Sequence, residues 1–416
     1  MKPELLCHFH PLPGNTAALP TDKPLFESPN MTERPSLLHQ TLSFAAGISR
    51  LAVGLVFLFS GWVKVADPMG MALKLSAYAA AVDWDALYRH SDLPMQGVAI
   101  ALGVGEMWLG LALMAGFKRR SVWSATLLFM SALTLLTLWI FLAEPVADCG
   151  CFGDAWKLTH GETLTKNLVM LALLVWLGRR LHQPLTVALS REAGHLLLLG
   201  SIIYGTAMGL YALHFLPSAD FTPYAVGTDI RHAFLHPQEE NVSGAVNFYA
   251  YDPADGADRT EELLADTGSV MLLTIPDVSK ADDGCCDRIN DLYDACRDAQ
   301  IPFYLLIAGD EEAVTKWTDL TGAAYPALFA EDTELHAMVR SNPGLLMLRD
   351  GKVGGKWSCN DLPDTEGKSA TELRKLSTSP TRRTRNALLF FLIPVLLIIA
   401  ADKLKGKRKD LKEEAV

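Results

Sequence analysis

The sequence is short of charge. Only 20% of its 416 residues are Asp, Glu, Lys or Arg, half are hydrophobic, and the mean hydropathy is +0.18, which excludes an ordinary soluble protein. It also lacks a Cys-x-x-Cys: none of its 7 cysteines has the spacing of the common dithiol redox motif. Basic residues are scarce between Pro217 and Pro380, where 29 Asp/Glu stand against 13 Lys/Arg, and that balance excludes nucleic acid as a partner. Residues 1–40 lack a signal-peptide layout, because the first apolar run starts too late and has no cleavage-site pattern. They carry several prolines and no helical apolar period, so a disordered tail is expected over residues 1–42, with Met31 as a second candidate start. The donor types in Cys7–His10 have no further ligands beside them, so no metal site is expected there.

What is present is a set of long apolar runs. Near-continuous stretches of about 18 residues or more are candidates for membrane-spanning helices. Five precede residue 217: Phe44–Val65, Met95–Phe117, Val122–Leu142, Leu164–Leu181 and Gly194–Leu216. A sixth, Ala387–Ala401, covers only ~22 Å at helical rise, so it must recruit flanking residues, and Pro394 predicts a kink. It lacks a polar face, which favours a span over a surface-lying helix. If all six cross, the basic clusters Phe117–Arg120, Gly178–Gln183 and Asp402–Lys412 share one side. The positive-inside rule makes that side cytoplasmic, together with both termini. Arg382–Arg385 is the one dissenting cluster. The loop Ala147–Asp154 and all of Pro217–Asn386 then face outward, where disulfides persist. The expected surroundings of the spans are membrane lipids.

Asp67-Pro68 breaks the first run, and Met69–Ala81 reads as an amphipathic segment on the outer surface. From Val270 onward, short apolar runs alternate with helical patterns in the order β-α-β-α-β-α-β-β, which predicts an α/β domain with a mixed sheet. The expected organisation is multi-domain. A disordered cytoplasmic segment (1–42) precedes a four-helix membrane domain (43–182) and a fifth transmembrane helix (194–216). A polar connector (217–269) leads to the α/β domain (270–362). A C-terminal transmembrane helix (387–401) and a basic cytoplasmic tail (402–416) follow.

Cys149 and Cys151 flank Gly150 in "DCGCFGD", where a membrane helix surfaces. Cysteines two apart come within bonding range in a tight turn, and the small ring is strained, hence relatively oxidising and exchangeable. Such a pair suits electron transfer between a soluble thiol partner and a membrane acceptor such as quinone. A structural bridge from either cysteine to another loop is the second reading, and zinc with His160 as an extra ligand is the third. Glu106 lies ~14 Å deep in its span, and Lys64 is its candidate partner. They read either as a proton relay or acceptor-binding polar site, or as a buried pair that fixes packing; the alternative for Lys64 is to snorkel to the surface beside Asp67. Gly103, Gly105 and Gly110 allow close helix approach. In Asp282–Cys286, a helix N-terminus lowers a thiol pKa, so Cys285 and Cys286 are candidates for reactivity, opposed by Asp282, Asp283 and Asp287. Neighbouring cysteines bond each other only through a strained ring, so a stable bridge between them is not expected, and pairing elsewhere, for example with Cys359 or across chains, is the alternative to reactivity. Cys296 reads as a packed core thiol.

Two resemblances go with these residues. A strand leading to a cysteine at a helix N-terminus, followed by Arg340–Trp357, resembles the thioredoxin fold. The resemblance implies that Pro343 is cis after Asn342 and packs against the active-site cysteine; without a Cys-x-x-Cys it implies the fold more than the chemistry. Arg50–Pro68, Gly103–Gly110 with Glu106, and Asp148–Leu174 together resemble the DoxX and methylamine-utilisation MauE-like membrane families over Ser43–Leu181. That resemblance implies a bacterial inner-membrane protein with a periplasmic thioredoxin-like domain, acting in extracytoplasmic redox or protein maturation. The expected function is a membrane thiol–disulfide oxidoreductase. Cys149 and Cys151 form its redox pair, Cys285 and Cys286 are weaker candidates, and Lys64 and Glu106 serve as relay or polar site. The candidate cofactor is quinone and the candidate partner an extracytoplasmic thiol protein. The alternative is a non-enzymatic assembly or maturation factor whose cysteines are structural.

Overall fold

The computed structural model describes residues 37–84, 86, 91–146, 150–180, 189–236, 248–265 and 268–413. Residues 1–42 form a unit apart from residues 43–416. Helix α1 (Leu37–Ala66) stops at Asp67, whose carboxylate accepts the Gly70 N–H while Pro68 fills the first helical position, so α2 (Pro68–Ala80) starts at once. The α2 helix is not the surface segment expected: Pro68–Ala72 are buried, and Met71, Ala72 and Ala79 pack with Met95 and Ala99 of α3 (Leu93–Ala115). Met71, Ala72 and Ala79 thus form a helix–helix seam.

Helices α4 (Arg119–Ala143) and α5 (His160–Gly178) run antiparallel along their whole length. Trp123 at the start of α4 donates to the Leu174 carbonyl at the end of α5 (2.8 Å), and Asn167 near the start of α5 donates to Thr137 (3.1 Å). A side chain at Gly178 would collide with the Trp123 ring. The next helix is α6 (Arg191–His214).

Two short helices follow, α7 (Ile230–Leu235) and α8 (Thr260–Ala265), and then the sheet half. Its elements are β1 (Ser269–Ile275), α9 (Cys286–Asp298), β2 (Phe303–Ile307), α10 (Glu311–Thr321), β3 (Ala327–Phe329), α11 (Asp332–Met338), β4 (Gly344–Arg349) and β5 (Lys352–Ser358). The five strands lie in the order β3-β2-β1-β4-β5. β1, β2 and β3 are parallel; β4 runs antiparallel to β1, and β5 antiparallel to β4. All seven residues of β1 are buried because both of its faces are covered. Met271, Leu273 and Ile275 pack with Ile289, Leu292 and Trp317 of α9 and α10; Val270 and Leu272 pack on the other face with Tyr224, Phe248, Leu263 and Leu335. The stretch expected to be a connector therefore supplies much of one layer of this core. Its apolar residues are scattered without a period, and only the sheet gives them a common face.

The chain ends in α12 (Ala370–Leu373) and α13 (Pro380–Glu413), which takes in far more than the 15-residue apolar run and carries Pro394 inside it. Among the described residues, five helices are long and apolar enough to cross a membrane: α1 from Thr41, α3, α4, α6, and α13 as far as Arg408. The protein is thus a multi-pass membrane bundle joined to an α/β half. The expected fourth span is not among those five. Its helix, α5, has only 19 residues, with His160, Glu162, Lys166 and Asn167 in the first turns. It nevertheless lies against α4 from end to end.

Candidate functional site

The site begins with two helices that come unusually close. A Cβ at Gly61 of α1 would stand 2.4 Å from the Gly103 carbonyl of α3, and one at Gly110 would stand 2.6 Å from the Gly54 carbonyl. Only glycine permits this spacing. Gly105 takes no part, since nothing lies within 4 Å of its Cβ position. The close seam brings Lys64 Nζ within 2.9 Å of Glu106 Oε2, with the two side chains 5% and 3% exposed. Lys64 also donates to Ser60 Oγ (2.8 Å) and to the Cys151 carbonyl (2.8 Å), so it does not snorkel outward. Ser60 Oγ donates to the same carbonyl (2.9 Å). A buried ion pair is tolerable only when its remaining hydrogen-bonding capacity is met, and here the Cys151 backbone meets part of it.

The loop carrying Cys151 is shaped by two glycines in the left-handed region, Gly150 (φ 60°) and Gly153 (φ 54°), closed by a Gly153 N–H to Gly150 carbonyl bond of 3.0 Å. Phe152 is buried against Phe59, stacks on Trp156 and lies under the Lys166 ammonium (4.3 Å), which pins the loop to the bundle. Thr159 and Glu162 then form a reciprocal cap that starts α5. Cys151 is half-buried, and Cys149 lies outside the described residues. Under this loop is a cavity of about 170 Å³. Its polar lining includes Lys64, Glu106, Thr137 and Asn167, with Cys151 at one side.

The sheet half is held against the same loop by a cluster that the sequence did not suggest. Arg340, just before Ser341, Asn342 and Pro343, bonds Asp154 (2.5 Å) and Asp67 (3.2 Å), and its side chain is 8% exposed. Lys74 of α2 adds a contact to Asp154 at 3.3 Å. Burial alone raises the Asp154 carboxyl, yet Arg340 and Lys74 outweigh it and hold the group below the usual carboxylate range. Burial likewise opposes the Arg340 charge and is outweighed by Asp67 and Asp154. Nothing local marks these residues as partners; the only hint is that Asp154 ends the Cys-Gly-Cys block and Arg340 opens the proline loop.

That loop is where the second sulfur site sits. The Asn342–Pro343 peptide is cis. Asn342 donates to the Asp277 carbonyl (2.7 Å), and its own carbonyl accepts the Asp282 N–H (3.0 Å). Cys285 is disulfide-bonded to Cys359, with Cα atoms 5.6 Å apart, and the Cys359 N–H reaches Ser341 Oγ (3.4 Å). Both sulfurs are buried in the core on the α9 face of the sheet. Cys286 is not in that bond. Burial, with Asp283, Asp287 and Asp282, pushes its thiol up, the opposite of the lowering that a helix N-terminus alone would give. Burial pushes the Cys296 thiol up to about 12. Among the described residues, no three His, Cys, Asp or Glu side chains gather to hold a metal ion; His160, the extra ligand considered for zinc, opens α5 with its Nε2 buried and without a partner.

The arrangement thus places a half-buried cysteine loop over a buried ion pair and a cavity, with an α/β half docked beside it. No curated protein and no solved structure matches the chain. The family model described as methylamine utilisation protein MauE matches residues 42–179, so the segment holding Lys64, Glu106 and Cys151 is the MauE-like membrane part of this protein.

Proposed function

We propose that the protein is an inner-membrane thiol–disulfide oxidoreductase serving extracytoplasmic protein maturation, with Cys149 and Cys151 as its exchanging pair. The observation that carries this reading is the hydrogen bond from the buried Lys64 ammonium to the Cys151 carbonyl (2.8 Å), which couples a cysteine loop to a charge pair inside the bundle. In the exchange, a secreted dithiol gives two electrons and two protons to the Cys149–Cys151 disulfide and is itself oxidised to a disulfide. This reading takes the loop and the sheet half to lie in the oxidising compartment, and the basic clusters expected to face the cytoplasm support it. The sheet half is thioredoxin-like in this reading, supported by its strand order and by the proline loop beside Cys359. Its own cysteines serve structure: Cys285 and Cys359 are bonded in a packed core, and the Cys286 thiol is pushed up. Its task is to cover the cysteine loop and present client proteins.

Thiol trapping of the full chain in membranes tests this. Cys149 and Cys151 should pass between free and bonded forms as the external redox potential is varied, and replacing both by Ser should abolish disulfide formation in clients. If the pair stays oxidised at every potential, or the double variant keeps full function, the exchange reading fails. The outcome would then favour the second reading, a maturation factor with structural cysteines, which the buried Cys285–Cys359 bond and the Arg340 anchor also suit.

A further inference from the structure

We infer that the cavity beneath the Cys151 loop is a binding site for the ring of a membrane-soluble quinone. The inference deepens the proposed function and rests on it for the electron source, but the site stands on its own geometry. The space, about 170 Å³, is ring-sized; an apolar cavity of roughly 150 Å³ holds benzene. A phospholipid head group does not fit in it, and a substituted six-membered ring does. Its walls are apolar, with Phe57, Leu102, Met130 and Leu133 from three helices. Leu136, also in the lining, is 37% exposed on the outside of the bundle, so the cavity reaches the lipid-facing surface, the direction from which a tailed quinone arrives.

The polar end suits a molecule that accepts hydrogen bonds when oxidised and donates them when reduced. Asn167 spends one amide N–H on Thr137 (3.1 Å), which leaves the second for a ring carbonyl. Lys64 engages Oε2 of Glu106, which is 2% exposed and lines the cavity. A carboxylate in the cavity wall can accept the hydrogen bond that a quinol hydroxyl donates. The balance closes with these parts. The Cys149 and Cys151 thiols lose two electrons and two protons as their S–S bond forms, and the quinone gains both to become the quinol.

Binding of a short-chain ubiquinone to the purified full chain in nanodiscs tests the site, read by displacement titration. The measurement is made on the wild type and on a Cys149→Ser/Cys151→Ser protein, so that it does not depend on thiol chemistry. Saturable binding is expected in both. Leu136→Trp, at the exposed edge, and Leu133→Trp, further in, should each weaken it by about tenfold or more, with melting temperature checked alongside. Absence of saturable binding, or unchanged affinity in a folded Leu136→Trp protein, overturns the inference, as does an acyl chain found in the cavity that quinone does not displace. Binding without redox cycling at Cys149 and Cys151 would sink the exchange reading and leave the site; cycling without binding would do the reverse.

Discussion

The two sulfur sites of this molecule sit a short way apart in opposite settings. The bond between Cys285 and Cys359 joins residues 74 apart in sequence and lies in a core with Ile289, Trp317 and Trp357 around it. Cys151 rides on a short loop turned by two glycines, half-buried, with its carbonyl held by two side chains of α1. A long-range bond in a packed interior constrains the unfolded chain strongly and is shielded from other thiols; a cysteine in a small, partly open turn does neither. The difference separates a sulfur bonded inside a packed core from a sulfur on a partly open loop, and the second has the access that the proposed exchange requires.

The comparison can be broken in several ways. The largest effect is expected from Cys285→Ser with Cys359→Ser. Loss of a 74-residue crosslink should cost about 4 kcal/mol in denaturant unfolding of the solubilised chain, whereas Cys151→Ser should stay within about 1 kcal/mol. Equal losses would erase the distinction. Next, Lys64→Met should cost about 3 kcal/mol by leaving Glu106 charged and unpaired, and Lys64→Met with Glu106→Leu should regain most of it. No recovery in the double variant would mean that the pair's bonds to the Cys151 loop matter more than its charge.

A third test concerns pH. Burial and the neighbouring Arg340 push His336 down to about 4, with Asp92 and Asp332 acting the other way and Lys280 adding to the lowering. The folded pKa is depressed below the unfolded one, near 6.5. The unfolded chain therefore takes up the proton first, and the associated stability is present above 6.5 and lost as pH falls towards 4. The drop should be about 2 kcal/mol between pH 6.5 and 5, and His336→Leu should flatten it. The smallest effect is expected from Thr159→Ala, which removes the cap that ends the cysteine loop: about 1 kcal/mol in melting of the bundle.

Much of the bundle was legible because uninterrupted apolar runs have few alternative fates. The strand and helix order from Val270 was legible because each run is short and bounded. Lys64 and Glu106 could be matched because Glu106 is the one charge in the apolar helix α3 and Lys64 is one of two cations, with Arg50, in α1. The Arg340 cluster could not, since Arg340 stands 273 residues from Asp67 and 186 from Asp154, and no local pattern records such a pairing. The same holds for Tyr224 and Phe248, whose burial only the sheet reveals. The dissenting basic run Arg382–Arg385 has a partial physical reason: Arg383 bonds Asp361 at 2.6 Å, so part of its charge is spent within the protein.

The sheet half is pinned at both ends. The chain enters it from α6 and leaves it into α13, and the seams are stitched by Asn360 to the His214 carbonyl (2.6 Å) and Thr384 to the Ser218 carbonyl (2.9 Å). A module leashed twice meets its neighbour at millimolar effective concentration, whatever the abundance of the protein in the membrane. Each copy carries its own captive co-worker in fixed one-to-one stoichiometry, and dilution cannot part them.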